Sequence, residues 1–506
     1  MSAQGQINKN IKKVLLFTSP VFTFENNIDV NPLPPLGLAY LGAVLENSGI
    51  TVRIFDCLAE GWSNRTKVAD NIIRIGSSFD EIEDVIRDFE PDIVGVNSLF
   101  SKQEKNASQI YAIVKKVNKN IITIAGGAHP TVLPELVMSD ENVDFVVLGE
   151  GEETIVDLIK AIEGKSDIST VEGIGYKKNG QVKIIPKTKF IEDLDKLPFP
   201  ARHLLNMEKY FGLKASHGTR TRRRFSPIIT SRGCPAKCTF CSAKKVWGRK
   251  FRSRSPENVI AEIKLIIDKY QIQEIMFEDD NVTFDAKRAA KIFDLMIEEK
   301  LDVTWDTPNG IAAWTLTEEL INKIKESGCN RLNFPIETGN QYVMDNIIKK
   351  PIKLEKVKPL IKYARGIGLD VGLFLVIGMP GETEDQIWDS FYIAKELEVY
   401  SPHISIATPY PGSELYDLCI ENKYLADNFS LDDLFIKSFC ISTENWNGQK
   451  LKKIYSKGQK FLLVSFLKKH PVIFLKKVLR KMFTEPVKFL KITYSVISNK
   501  IVSMIF

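Results

Sequence analysis

Short apolar runs rich in β-branched residues alternate with amphipathic segments twice along this 506-residue chain, which confines it to an α/β architecture. In the first round KVLLFTS (13–19), TVRIFD (51–56), IVGVNS (93–98), IITIAGG (121–127) and FVVLGEG (145–151) read as strands. PPLGLAYLGAVLENSG, EIEDVIRDFE and the segments around 107–118 and 131–140 read as the helices between them. Strands this apolar are buried on both faces, so a doubly wound parallel sheet of the Rossmann or flavodoxin type is expected. EGIGYKKNGQVKIIPK (172–187) follows as a hairpin turning at Asn179-Gly180. In the second round SPIITSRG, EIMFEDDN, VTWDTPNG, RLNFPIETG, DVGLFLVIG and HISIATPY give six β/α units between 227 and about 410. DLDKLPFPARHLL, broken by prolines, reads as a linker between the two rounds. The expected division is therefore 11–195, a linker at 196–225, 226–430 and a basic helical region at 431–506.

Five hundred residues exceed what one core organises. Hydrophobic content of 44% and charged content of 26% are those of an ordinary globular protein. The N-terminus lacks an apolar signal core, and no run of about 18 apolar residues occurs, so neither export nor a membrane span is expected. Seven cysteines, three clustered and four scattered, do not form a secreted disulfide framework and point to a reducing cytoplasm.

The clustered three are Cys234, Cys238 and Cys241 in SRGCPAKCTFC. Three thiolates at this spacing can hold three irons of a 4Fe-4S cube and leave the fourth open to a small molecule. A structural zinc would need a fourth Cys or His nearby, and the next candidates are Cys329 and His403. Lys237 and Arg232 beside the triplet would favour thiolates. Cys57, Cys329 and Cys419 read as small core residues; so does Cys440, although it stands near a domain end where it could face a substrate.

SRGCPAKCTFC, with Phe240 as the aromatic before the third cysteine, resembles the signature of the radical S-adenosylmethionine (SAM) enzymes. The resemblance continues through EIMFEDDNVTFD, FPIETGN, GLFLVIGMPGET and TPYPGSELYD. It implies a partial (β/α)6 barrel, a 4Fe-4S cluster on the three cysteines, and SAM bound to the open iron and cleaved to a 5′-deoxyadenosyl radical. It also implies SAM contacts from Phe240, Glu278, Asp280, Glu337, Gly378 and Pro380. The acidic run Glu278-Asp279-Asp280 reads equally as a helix N-cap. Phe334-Pro335 stand where the family usually has Gly before Ile-Glu, and a proline there removes a ladder donor, leaving the local backbone open. Tyr410 either faces a cofactor or packs.

The ends of the first five strands are rich in small residues, which either make tight turns or let a large flat ligand approach. PPLGLAYLGAVLENSG, GGAHPTVLPE and VLGEGEETI resemble the cobalamin-binding domain fused to many radical SAM enzymes. That resemblance implies cobalamin contacts from Leu36, Gly37, Ser98, Gly126, Gly127, Gly149 and Glu150. The Asp-x-His-x-x-Gly that supplies a cobalt-ligating histidine elsewhere is missing, so cobalamin without a histidine ligand is implied. His129 reads as a hydrogen-bonding loop residue.

The implied activity is cobalamin-dependent methylation of an unactivated carbon, or phosphorus, in a lipid or natural product, with flavodoxin or ferredoxin as electron donor. Oxidative cyclisation or rearrangement uses the same cofactors, and a non-catalytic cobalamin or cluster sensor is the reading from another class. Against the sensor stand the intact triplet, Glu337 and the Gly-Met-Pro-Gly-Glu loop. Charge is segregated: residues 450–506 hold 14 Lys/Arg against one acidic residue, a net of +13, leaving 55 basic and 62 acidic residues, a net of −7, elsewhere. Apolar–basic patterns such as FLLVSFLKKHPVIFLKKVLRKMF suit either a helical cap or peripheral contact with an anionic membrane, and without aromatic platforms they do not suggest nucleic acid. KASHGTRTRRRF (214–225) reads either as a solvated loop or as a basic lip over an anionic substrate.

Overall fold

In a computed structural model the described residues are 9–25, 32–70, 72–213, 217–218, 220–434 and 439–472. The segment 473–506, with most of the basic tail, lies outside them, as do 214–216 and 219 of the basic run. Packing divides the chain into two compact units. One comprises Met1–Pro235, Cys241–Asn309 and Lys323–Asn330, and the other Ala236–Phe240, Gly310–Asn322 and Arg331–Phe506.

All five apolar runs of the first round form strands: Lys13–Thr18, Thr51–Asp56, Ile93–Asn97, Ile122–Gly126 and Phe145–Val147. They pair in parallel in the spatial order second, first, third, fourth, fifth. This flavodoxin-like order reverses direction beside the first strand, so ligands are expected beyond the carboxyl ends there. Ile174–Lys178 and Gln181–Ile185 extend the sheet as an antiparallel hairpin. Its turn residues Asn179 and Gly180 have φ of 53° and 76°, as the sequence pair demands. Leu15, Phe17, Val94, Val96 and Ala125 fill the core on one face beneath Ile82, Ile86 and Ile110. A small sheet formed by Val21–Phe24, Arg65–Ala69 and Ile72–Ile75 was not legible in advance, because Arg65–Ala69 is exposed throughout and shows no apolar alternation.

The second round forms a six-stranded sheet in sequence order: Phe225–Ile228, Glu274–Phe277, Thr304–Asp306, Cys329–Glu337, Asp370–Ile377 and His403–Ile406. The first strand is shorter than SPIITSRG implied. It stops at Ile228, and Ser231–Arg232 pairs instead with Arg252–Ser253 in a two-stranded antiparallel ribbon. Pro335 has a visible effect: the register to Asp370–Ile377 slips between Pro335 and Glu337, where the proline offers no ladder donor. In the first unit Trp305 stacks on Phe293 at 4.9 Å and meets Phe277 edge-on at 5.4 Å.

The proline-rich segment between the two rounds is packed rather than loose. Ala201 N donates to Ala39 O, and buried Arg202 pairs with Glu262 at 2.7 Å and donates to Ser226 Oγ and Pro227 O. Its prolines break helices, yet the segment is a packed strap. After an irregular stretch the C-terminal helix Gly448–Lys469 packs on Glu384–Glu396, with Gly458 against the Phe391 ring. Among the described residues no helix is long and apolar enough to cross a membrane.

Candidate functional site

The cysteine segment begins at the ribbon. Gly233 has φ of +84°, and a Cβ there would stand 2.1 Å from Lys250 O, so only glycine fits immediately before Cys234. None of the seven cysteines forms a disulfide; Cys234, Cys238 and Cys241 are partly exposed, while Cys57, Cys329 and Cys419 are buried. Asn281 Nδ2 donates to Cys234 Sγ at 2.9 Å. No three His, Cys, Asp or Glu among the described residues converge as ligands of a single ion. Each cysteine of a cube binds its own iron, so its thiolates need not meet at one point.

The acidic run at the end of Glu274–Phe277 divides its labour. Glu278 accepts from His217 Nδ1 at 2.9 Å and from Asn309 Nδ2. Burial alone would lower the His217 pKa, and the Glu278 carboxylate overrides it and raises it. Asp279, fully buried, accepts from Thr230 N, Thr230 Oγ1 and Ser231 Oγ, tying the strand end to the residues that lead into Arg232. Asp280 has no such partners. Its Oδ2 is buried without a hydrogen bond, and burial together with Asp279 pushes its pKa up to about 6.

In the second unit, Glu337 is buried at the bulge with φ of +59°, a left-handed backbone that a non-glycine residue rarely adopts. Its carboxylate lies 2.5 Å from Lys350 Nζ, which also donates to Pro335 O. Lys350 stands 13 residues away beyond a π-helical turn (Val343–Ile348), and no local pattern pointed to it. Glu382 closes the Gly-Met-Pro-Gly-Glu loop: its Oε2 accepts from Met379 N at 2.7 Å, its Oε1 is buried without a partner, and burial raises its pKa to about 8. Pro380 is buried; Gly378 has φ of +83°, which favours glycine, and its Cα face lies against Leu451. Phe240 is half-buried, and Tyr410 is half-buried with its pKa raised by burial.

The residues at the first sheet's strand ends gather as the sequence placed them. Open space faces Gly37 and Gly126, where an added Cβ would meet nothing within 4 Å. Gly127, at φ of +107°, would drive a Cβ into Asn97 Oδ1 and Ser98 O. Ser98 Oγ is buried and unpartnered. His129 receives or donates one bond at Nδ1, to Ser101 Oγ at 3.0 Å, while its buried Nε2 has none; burial lowers its pKa to about 4. Leu36 opens the helix Leu36–Asn47, and Gly149 has φ of +63°. The Glu150 carboxylate is held inside the protein, by Arg252 Nη1 at 2.7 Å, Arg232 Nη1 at 3.3 Å and Ile191 N at 2.8 Å.

The basic groups near the cysteines and before the barrel have partners of their own. Glu150 and Glu152 hold the buried Arg232 guanidinium, and Lys237 is exposed. Most of the described arginines in the 214–225 run are engaged elsewhere: Arg220 with backbone carbonyls of Leu213 and Phe211, Arg222 with Asp302, and Arg224 with Glu208. They also precede the first barrel strand, at the sheet edge away from the strand ends that carry the motifs. The solvated-loop reading suits them better than a lip.

Residues 228–391 match the Radical SAM superfamily and residues 30–159 the B12 binding domain. The chain is 36% identical over 480 residues to the cytidylyl-2-hydroxyethylphosphonate methyltransferase of Streptomyces wedmorensis, covering 89% of each protein. It is 33% identical to an uncharacterized methyltransferase of Pyrococcus horikoshii, covering 82% of this chain and 84% of that one. Its fold is similar to that of the radical SAM methyltransferase TsrM from Kitasatospora setae, with a TM-score of 0.68 at 14% identity and 89% of each chain covered. It is equally similar to that of the cobalamin-dependent SAM radical enzyme OxsB, with a TM-score of 0.68 at 15% identity over 97% of this chain and 76% of that one. The chain belongs to the cobalamin-dependent radical SAM methyltransferases, enzymes that work with a 4Fe-4S cluster, SAM and cobalamin.

Proposed function

We propose that Cys234, Cys238 and Cys241 hold the cluster, that Glu278, Asp280, Glu337 and the loop at Gly378-Pro380 surround SAM, and that the first-round strand ends hold cobalamin. Residues 11–195 then form the cobalamin domain and 226–430 the radical SAM domain, joined by 196–225. The observation that carries this is 36% identity to a phosphonate methyltransferase over 89% of each chain, together with the cysteine triplet and carboxylates standing at or just beyond strand ends. The residues fit the absent groups. Three partly exposed thiols follow a glycine-only turn, and buried unpartnered atoms at Ser98, His129 and Asp280 await polar partners. When bound, the cluster supplies the electron that cleaves SAM and cobalamin carries the methyl group. Asn281 orients the Cys234 thiolate, Lys350 fixes the Glu337 carboxylate, and Glu382 holds the shape of the loop beneath SAM. His129 Nε2, kept neutral by burial, is the one histidine placed among the cobalamin contacts, and we assign it a hydrogen bond rather than a metal bond.

The substrate proposed first is a small phosphonate carrying a nucleotidyl group, by analogy with the Streptomyces relative. Anaerobic incubation of cluster- and cobalamin-loaded protein with SAM, a strong reductant and cytidylyl-2-hydroxyethylphosphonate tests it, reading a ~14 Da gain on the substrate and release of 5′-deoxyadenosine. Cleavage of SAM without methyl gain would leave the methyltransferase class and reject this substrate. A reduced flavodoxin or ferredoxin is the proposed physiological electron donor.

A groove of about 610 Å³ on helix Gly448–Lys469 favours one further reading, peripheral contact with anionic lipid. Lys395, Lys457, Lys460, Lys468 and Lys469 surround Phe461 and Val464 there. Among the described residues Lys457, Lys460 and Lys468 make no ion pair. Residues 473–506 are themselves basic, so they do not complement it in charge. Basic groups around an apolar floor suit a lipid headgroup region.

A further inference from the structure

We infer that cobalamin loading and cluster assembly are thermodynamically linked through Arg232, because both ends of the cysteine segment rest on the loops that carry the cobalamin contacts. This rests on the assignment of the cysteines and strand ends made above.

Arg232 lies two residues before Cys234, and its side chain is 3% exposed. Nη2 stands 2.5 Å from Glu152 Oε1 and Nη1 3.3 Å from Glu150 Oε1. Its ribbon partner Arg252 reaches the same Glu150 oxygen at 2.7 Å. The Arg232 guanidinium also lies between the rings of Tyr40, at 5.4 Å, and Trp247, at 5.0 Å. Tyr40 belongs to the helix that starts at Leu36-Gly37, while Glu150 stands at the N-cap and Glu152 in the first turn of the helix Gly151–Ile162 that follows Gly149.

The other end of the segment is seated likewise. Helix Ala243–Trp247, beginning two residues after Cys241, packs against Ala128–Val132, the turn that follows Gly126-Gly127. The Val246 carbonyl lies 3.1 Å from where a Gly149 Cβ would be, close enough that any larger residue would push it away. Three of the four strand ends named for cobalamin, all but that at Ser98, therefore touch the two short elements that bracket the cysteines.

A surface ion pair would yield to small loop movements at little cost. A buried one does not, because parting the charges leaves each desolvated and unpaired. A cobalamin that orders Gly149-Glu150 and the helix start they lead into thus also orders Arg232, and a cluster that fixes Cys234 and Cys241 pre-orders the cobalamin strand ends. Binding linkage of this kind is reciprocal by necessity, which separates it from a merely structural ion pair.

The test uses full-length protein with two measurements. Hydroxocobalamin affinity is titrated by absorbance with the cluster assembled and after anaerobic removal of iron. The electron paramagnetic resonance spectrum of the reduced cluster is recorded with and without hydroxocobalamin. Wild type should bind hydroxocobalamin about five-fold or more tightly when the cluster is present, and its cluster spectrum should shift on cobalamin binding. Arg232→Lys, which keeps the charge but loses the two-point hold, should bring the affinity ratio towards one and leave the spectrum unmoved by cobalamin. Glu152→Gln is the second variant should Arg232→Lys not fold. Equal wild-type affinity in the two cluster states overturns the inference without any variant, as does a ratio unchanged in both variants. Iron retained in all of the Cys234→Ala, Cys238→Ala and Cys241→Ala proteins would instead defeat the cluster assignment itself.

Discussion

Lys350 Nζ lies 2.5 Å from the Glu337 carboxylate in a buried pair, at a strand end where Glu337 takes a left-handed backbone. Removing one partner of such a pair strands the other charge, which costs about 3–5 kcal/mol. Lys350→Met should lower unfolding stability by that amount in denaturant titration and weaken SAM binding. Glu337→Gln should weaken SAM binding while costing less stability, because Lys350 keeps its bond to Pro335 O. Unchanged SAM affinity in both variants would remove Glu337 from the site.

Cys234→Ala, Cys238→Ala and Cys241→Ala should each abolish the brown chromophore and SAM cleavage, since three thiolates are the anchor available. Cys329→Ala, at a buried strand start, should cost only packing, about 1–2 kcal/mol. Retention of iron by all three clustered variants would sink the assignment.

Glu382 makes stability depend on pH in an unusual direction. Its pKa is about 8 when folded against an ordinary value of 4.5, so its neutral form is the folded form. Below about pH 4.5 this group costs the folded state nothing, and stability is lost as pH rises from there through about 8. Wild-type Tm should fall between about pH 4.5 and 8 relative to Glu382→Gln, whose side chain cannot ionise. Parallel Tm curves for the two proteins would show that Glu382 titrates normally.

Strand positions were legible because period and composition are local properties. IVGVNS became Ile93–Asn97, and Asn179-Gly180 turned the hairpin it announced. Partnerships were not. Arg232 sits beside Cys234 in sequence and invited a local reading, but its partners lie about 80 residues upstream. Lys350 was hidden by a π-helical turn, and the unpartnered Asp280 oxygen differs from its neighbour Asp279 only in what folds around each. Pro335 did announce a disturbance, and the bulge at Glu337 is the form it took.

Charge reversal at Lys457, Lys460 and Lys468 should weaken binding to anionic vesicles at low salt and leave SAM cleavage unaffected. Each Lys near an anionic surface contributes on the order of 1 kcal/mol, and salt screens that gain. Equal sedimentation of wild type and the triple variant would reject the lipid reading.

Gly458 and Leu451 give that experiment its form. A Cβ at Gly458 would stand 2.1 Å from the Phe391 ring, and Leu451 covers Gly378 in the loop closed by Glu382. A chain cut short at Gly448 would thus bare apolar surface over the Gly378–Glu382 loop. Such a fragment would aggregate or lose turnover whether or not lipid matters, so the C-terminal helix can be questioned by repainting its lysines but not by removing it.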